Sequence, residues 1–355
     1  MLKREMVSNT GVHIGANSGT LLNLLLGAND KTGMKEEYNK IQYLIKNERQ
    51  IDIITDLSLY NKKGSKRLWE MIVSDTPYMA GTVPIYLAVD KKGCVGKNLL
   101  YESICEQCEK GVSIITIHPT ATARLYELSN SRLIKCTSRG GSIVLKDLLM
   151  YSRYENVYMQ ILDKIIEKCR EHNVILSIGS TFRSATIMDA MDNVYREELE
   201  AQIKIADYIK SNRGEVIIET PGHADPQNIF LICDILKQTP FSIMPLGPMP
   251  TDIACEEDDT AAVIGATLMG THDCADILSI VTRKEHLSGI PDIDDIDSAI
   301  RKYEVAKHII DLYKVQAKEE DYEISWSRAN FNSCDVFSQE NCSRCGKFCP
   351  LRNVL

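Results

Sequence analysis

Near the C-terminal end of this 355-residue chain, the stretch Asn341-Cys342-Ser343-Arg344-Cys345-Gly346-Lys347-Phe348-Cys349-Pro350 places three cysteines within eight residues. A C-x2-C-x3-C run lets three thiolates converge on one inorganic centre. In a [4Fe-4S] cluster each iron takes its own ligand, so three cysteines leave one iron free for a group that is not protein. A zinc knuckle recruiting Cys334 as fourth thiolate satisfies the same spacing, which alone leaves both open. Two histidines suggest a second centre. Glu219-Thr220-Pro221-Gly222-His223 and Lys284-Glu285-His286-Leu287 would give a divalent metal two imidazoles and leave positions for water or substrate. The plainer alternative is that each ring caps a loop carbonyl. Pro-Gly ahead of His223 makes a rigid turn that aims the side chain. Ser138-Arg139-Gly140-Gly141-Ser142 combines backbone amides, two hydroxyls and a guanidinium, the makings of a phosphate cradle or of an ordinary Gly-rich turn.

These groups need a scaffold that gathers them. Short apolar runs recur at 12–15, 51–57, 83–89, 112–118, 174–180, 215–219, 241–246 and 275–282, with longer amphipathic segments between them, such as 154–171 and 190–211. The runs are nearly continuous Val, Ile and Leu, as expected of parallel strands covered by helices. Eight such units predict an α/β fold of the TIM (β/α)8 type. A doubly wound sheet is the alternative, but no G-x-G-x-x-G follows a first strand. In a barrel the active groups sit at the C-terminal strand ends, and there the sequence has His118, Ser180 with Arg183, Glu219 with His223, and His286. The expected organisation is a barrel over 1–290, a helical extension over 291–330 led by a helix at 293–315, and a cysteine arm over 331–355. In the polar stretch 316–339, Tyr322, Trp326, Phe331 and Phe337 are the expected anchors.

A net charge of -8 argues against a nucleic-acid partner, while 44% hydrophobic residues supply a substantial core. No window has the 18 or so apolar residues of a membrane span, and the expected location is cytoplasmic. Twelve cysteines in a reducing compartment favour metal or buried-thiol roles. Cys94, Cys136, Cys169, Cys233 and Cys274 are expected to pack in the core, and the Cys105/Cys108 pair, in a helical stretch, is expected to be incidental.

Taken together, Gly81-Thr-Val-Pro-Ile-Tyr86, Thr116-Ile-His118, Ser138-Arg-Gly-Gly-Ser142, Leu176-Ser-Ile-Gly179 with Arg183, Glu219-x-Pro-Gly-His223, Leu246-Gly-Pro248 with Thr251-Asp-Ile-Ala254, Val281-Thr-x-Lys-Glu-His-Leu287 and the terminal cysteines resemble the phosphomethylpyrimidine synthase family of thiamine biosynthesis. The motifs keep that family's order and cover nearly all of the chain after about Ile51. The resemblance implies a non-standard radical S-adenosylmethionine enzyme that rearranges 5-aminoimidazole ribotide to the hydroxymethylpyrimidine phosphate. A sister branch makes 5-hydroxybenzimidazole. It further implies that Tyr86, His118, Ser138, Arg139, Gly140, Arg183 and Glu219 contact the ribotide, with Glu219 and His118 as proton-handling groups. His223 and His286 would hold zinc or another divalent metal, and Cys342, Cys345 and Cys349 a [4Fe-4S] cluster. An electron donor such as flavodoxin or ferredoxin and a homodimer, with the arm reaching the neighbouring barrel, are the implied partners.

The chain also departs from the family. Its cysteine run is one residue shorter than C-x2-C-x4-C, and Asp-Gly-Leu-Arg has become Ser180-Thr181-Phe182-Arg183. The Tyr before Leu-Gly-Pro is missing around Ile243-Met244-Pro245, a Met is replaced by Thr55, and the asparagine-rich opening is reduced to Gly15-Ala16-Asn17-Ser18. These changes keep two other classes in view: a barrel hydrolase with zinc on His223 and His286, and a non-catalytic ribotide-binding paralogue.

Overall fold

The computed structural model of the chain describes residues 4–60, 66–287, 289–335 and 344–353; Cys342 and Phe337 lie outside them. A short antiparallel hairpin, β1 (Glu5–Val7) and β2 (His13–Gly15), precedes eight parallel strands. These are β3 (Leu21–Leu26), β4 (Ile53–Asp56), β5 (Met79–Thr82), β6 (Ile114–Ile117), β7 (Ile175–Ile178), β8 (Glu215–Glu219), β9 (Ser242–Met244) and β10 (Ile277–Ser279). Their order is β10-β3-β4-β5-β6-β7-β8-β9, so every strand lies beside its sequence neighbour. Asp276 closes the circle: its N–H donates to the Ile243 carbonyl (2.9 Å) and its carboxylate accepts from the Ile243 N–H (3.0 Å). A parallel bridge between Leu246 and Ser279 follows. Helices lie between the strands, which makes this the expected TIM-type α/β barrel.

Two expected strands are corrected. The run at 12–15 belongs to the hairpin, and the first barrel strand is Leu21–Leu26, whose apolar run is broken only by Asn23. The chain turns at Gly15, where a Cβ would stand 1.9 Å from the Arg4 carbonyl oxygen. The run at 83–89 is not a strand either: β5 ends at Thr82, and Pro84 caps the one-turn helix Ile85–Ala88, which suits its fixed φ.

Inside the barrel the residues form layers. Leu21, Ile53, Met79, Ile114, Ile175, Ile217 and Ile277 point inward at the N-terminal end, and Met6 and Ile14 of the hairpin pack into them. Two residues further along each strand, where the side chain again points inward, stand Asn23, Thr55, Gly81, Thr116, Ser177, Glu219 and Ser279. The floor is therefore apolar, and the layer above it is polar.

After β10, the helix Ile293–Lys314 opens with an Asp292/Asp295 capping box and packs against the helix Asp258–Gly270. Gly270 allows the close approach, because a Cβ there would meet Ile310 at 2.4 Å. The helix Glu319–Phe331 buries none of its side chains: Tyr322, Trp326 and Phe331 are 69%, 58% and 42% exposed. The three expected anchors within the described residues thus do not anchor anything in this chain. No helix among the described residues is long and apolar enough to cross a membrane.

Candidate active site

The polar layer forms the base of a cavity of ≈ 340 Å³ that opens at the C-terminal strand ends. Tyr86, His118, Ser138, Arg139, Arg183 and Glu219 all line it, and Gly140 lies directly behind the His118 ring. Of the strand-end residues, His118, Arg183 and Glu219 meet in this cavity, His223 and His286 line a smaller pocket beside it, and Ser180 is buried outside both linings. Glu219 ends β8 with Oε1 accepting hydrogen bonds from Thr116 (2.9 Å) and Ser177 (2.8 Å). Across the barrel Thr55 donates to Asn23 Oδ1 (2.8 Å), and Asn23 Nδ2 reaches Ser279 (3.3 Å) and the Met244 sulfur (3.6 Å). The sequence reading missed Asn23 because it placed the first strand too early. The polar interruption of the run Leu21–Leu26 was the available signal.

His118 sits between two glycines. A Cβ on Gly140 would lie 2.3 Å from the ring, and one on Gly179 would lie 2.7 Å from it. Burial, together with the charge of Arg183, holds its pKa down to about 3, so the ring is a neutral imidazole. Ser138 caps the helix Arg139–Met150 by accepting from the Gly141 N–H (3.1 Å). The first-turn amides of that helix have no intrahelical acceptor and carry the positive end of its dipole. Arg139 stacks on Tyr86 with its guanidinium 4.3 Å from the ring centre, and donates to the Leu57 carbonyl (2.9 Å). With Arg183 this gives the cavity lining two guanidinium groups beside the Glu219 carboxylate.

The two histidines converge. His223 Nε2 and His286 Nε2 are 3.2 Å apart, while Nδ1 of His223 meets Asp252 (2.6 Å) and Nδ1 of His286 meets Asp258 (3.0 Å). A carboxylate on Nδ1 keeps the proton there and leaves the Nε2 lone pair outward. In that tautomer a cation between the two Nε2 atoms would take both lone pairs. Two nitrogens each about 2.0–2.1 Å from one tetrahedral ion stand about 3.3 Å apart. Burial raises the Asp252 carboxyl, but hydrogen bonds from Thr186 and His223 outweigh it, and its pKa is held below the ordinary value. Asp252 and Asp258 were not singled out in the sequence, although Asp252 lies in the Thr251-Asp-Ile-Ala254 motif. Among the described residues no group of three or more His, Cys, Asp or Glu is arranged to hold a metal. Arg183, Leu246 and Glu285 line both this site and the cavity. The loop carrying His223 is fixed by the His223 N–H donating to the Ser184 carbonyl (2.9 Å), and Gly222, at φ +125°, leaves no room for a Cβ against that carbonyl.

In the tail, Cys345 and Cys349 stand at the two ends of one tight turn, with the Phe348 N–H donating to the Cys345 carbonyl (3.0 Å) and Gly346 at φ +51°. Such a wrap suits two ligands of one compact centre. The Arg352 side chain ties this segment to the Asn332 carbonyl (3.2 Å), and among the described residues none beyond Glu285 lines the cavity. Cys334 is exposed. Of the scattered cysteines Cys169, Cys233 and Cys274 are buried, whereas Cys94 and Cys136 are half-buried. Cys105 and Cys108 lie on the helix Lys97–Glu109.

Residues 1–340 match the family model described as the radical SAM ThiC family. The chain is 31% identical to a phosphomethylpyrimidine synthase of Thermodesulfovibrio yellowstonii (strain ATCC 51303 / DSM 11347 / YP87), over 96% of this chain and 86% of that one. Among solved structures, a 7,8-dihydropteroate synthase from Vibrio fischeri ES114 aligns with TM-score 0.49 at 8% identity, covering 86% of this chain and 98% of that one. A 3-dehydroquinate dehydratase from Geobacillus kaustophilus HTA426 aligns with TM-score 0.47 at 10% identity, covering 85% and 96%. At those scores the two structural likenesses carry no argument.

Proposed function

Since the chain belongs to the radical SAM ThiC family, we propose that it converts 5-aminoimidazole ribotide, or a close relative, to the hydroxymethylpyrimidine phosphate of thiamine biosynthesis. The observation that carries this reading is one cavity lined by the start of a helix, two guanidinium groups and a restrained carboxylate. Arg139 and the amides at the start of its helix hold the phosphate, each charged hydrogen bond contributing about 1.5–3 kcal/mol. Arg183 neutralises the remaining negative charge. With Oε1 occupied by Thr116 and Ser177, Glu219 presents Oε2 to the imidazole or ribose, where it orients a donor or removes a proton. His118 takes part as a neutral ring, accepting or giving a hydrogen bond but carrying no charge.

His223 and His286 are the residues that would hold zinc or another divalent ion; Cys345 and Cys349, with Cys342, would hold a [4Fe-4S] cluster. When bound, that cluster supplies the one-electron cleavage of S-adenosylmethionine from which hydrogen abstraction follows. The protein contributes position and the exclusion of water. In this reading the arm serves the barrel of a second copy, because in its own chain it is tied to the end of the helix Glu319–Phe331. The exposed aromatic residues of that helix are then covered in a homodimer. A flavodoxin- or ferredoxin-like donor completes the system.

The test is an anaerobic preparation reconstituted with iron and sulfide and supplied with S-adenosylmethionine, dithionite and the ribotide. Mass spectrometry should find 5′-deoxyadenosine and the pyrimidine phosphate. A reconstituted, brown protein that yields neither would sink the reading.

A further inference from the structure

The loops that deliver His118, Arg183 and Glu219 come from three different strands, yet all three meet one outer helix. On Asn193–Ser211, Tyr195, Glu198 and Gln202 follow one another at spacings of three and four residues, so they share a face, and all three are buried. Gln202 Nε2 donates to the carbonyls of Ile178 (2.9 Å) and Glu219 (3.0 Å), joining the ends of β7 and β8. The Glu198 carboxylate accepts from Thr120 Oγ1 (2.6 Å), the Thr181 N–H (2.6 Å) and the Phe182 N–H (2.7 Å). It therefore links the segment two residues after His118 to the one just before Arg183. The Tyr195 hydroxyl pairs with Thr220 Oγ1 (2.6 Å), next to Glu219 and three residues before His223. The helix N-cap completes the set: Asp192 binds Arg132 through two bonds of 2.7 Å, and Arg132 Nη1 donates to the Phe182 carbonyl (2.6 Å).

An outer barrel helix needs only apolar contacts to pack on its strands, and a row of buried polar side chains there is costly unless each is satisfied. Here each is satisfied, and every partner lies in a segment that carries or adjoins a cavity residue. We propose that Tyr195, Glu198 and Gln202 are positioning residues that set the relative placement of His118, Arg183 and Glu219, with Glu198 at the centre of the row. None of the three lines the cavity. The proposal rests on the ribotide reading for its kinetic consequence, but not for its geometry.

The experiment compares Glu198→Gln, which keeps the shape but sets an amide donor against backbone N–H groups, with Glu198→Asp, which keeps the charge. The matched control is Asp311→Asn: Asp311 is also buried and accepts from the Thr20 N–H (2.8 Å) and Lys307 (3.0 Å), before the start of β3 at the barrel end away from these segments. In the full reconstituted chain, Glu198→Gln is expected to raise the ribotide KM about tenfold or more, because small misplacements of binding groups cost up to about a hundredfold. Glu198→Asp should recover part of the loss, and Asp311→Asn should keep the wild-type KM at a similar thermal midpoint. Equal KM values for Glu198→Gln and Asp311→Asn would overturn the proposal. If the wild-type chain binds no ribotide, the functional reading fails on its own. The row is then judged from the His118 ring resonances of histidine-labelled full chain. A shift with Glu198→Gln but not with Asp311→Asn supports it; equal shifts, or none, overturn it. If Glu198→Gln does not fold, Gln202→Met is read in the same way.

Discussion

The His118 ring is held between Gly140 and Gly179 with no space for a methyl group on either side. Gly140→Ala must therefore displace the ring or the helix start. The expected result is a stability loss of about 1–3 kcal/mol and ribotide binding weakened about tenfold or more, read by thermal melting and calorimetric titration. The same ring makes a pH prediction. Its folded pKa, near 3, lies below the unfolded value of about 6.5, so the unfolded chain binds the extra proton first. Its neutral burial thus costs nothing in protonation above about pH 6.5, and as pH falls below that value the folded state loses up to about 1.4 kcal/mol per unit until about pH 3. The thermal midpoint of His118→Gln should fall less steeply over this window than that of the wild type; parallel slopes would show that the ring is not neutral when folded. The motifs exposed His118, Glu219 and Arg183 because each follows an apolar run. The inward polar residues Asn23, Thr55 and Ser279 were harder to read, since nothing in a fully buried strand distinguishes the side facing the axis from the side facing the helices.

The loops after β8 and β10 each bring one imidazole to the same point, and Asp252 and Asp258 aim them. Asp252→Asn and Asp258→Asn should each weaken zinc binding about 10–100-fold, measured by competition with a chromophoric chelator, while His223→Ala should abolish it and leave the brown colour of the tail. Unchanged affinity in both aspartate variants would mean that the loops, not the carboxylates, fix the rings. Six of the eight strands were legible, because each is a short Val/Ile/Leu run flanked by turn residues. The other two failed for physical reasons. A four-residue apolar run serves equally well as the arm of a hairpin, as 12–15 does. An apolar run continuing past Pro84 looks the same whether it extends a strand or starts a helical turn. The row Tyr195–Glu198–Gln202 was not legible, because polar residues at helical spacing ordinarily mark a solvated face.

Among the described residues, the helix Glu319–Phe331 carries large apolar side chains that the fold leaves exposed. Tyr322 and Trp326 are exposed on one face of the helix Glu319–Phe331, and Ile324 and Phe331 on the other. If this helix is the dimer contact, light scattering should give twice the 39.9 kDa chain mass, and Trp326→Glu should shift the protein to the monomer and lower turnover without removing the cluster. A wild-type monomer at micromolar concentration would refute the contact. At the N-terminal end of the barrel, the hairpin carrying Met6 and Ile14 packs into the apolar layer, so among the described residues the polar cavity opens only toward the C-terminal strand ends. Whatever occupies the polar layer must enter before anything seated above it and depart after it. A queue of that kind imposes compulsory order: a sulfonium analogue parked across the opening should slow escape of the ribotide beneath it.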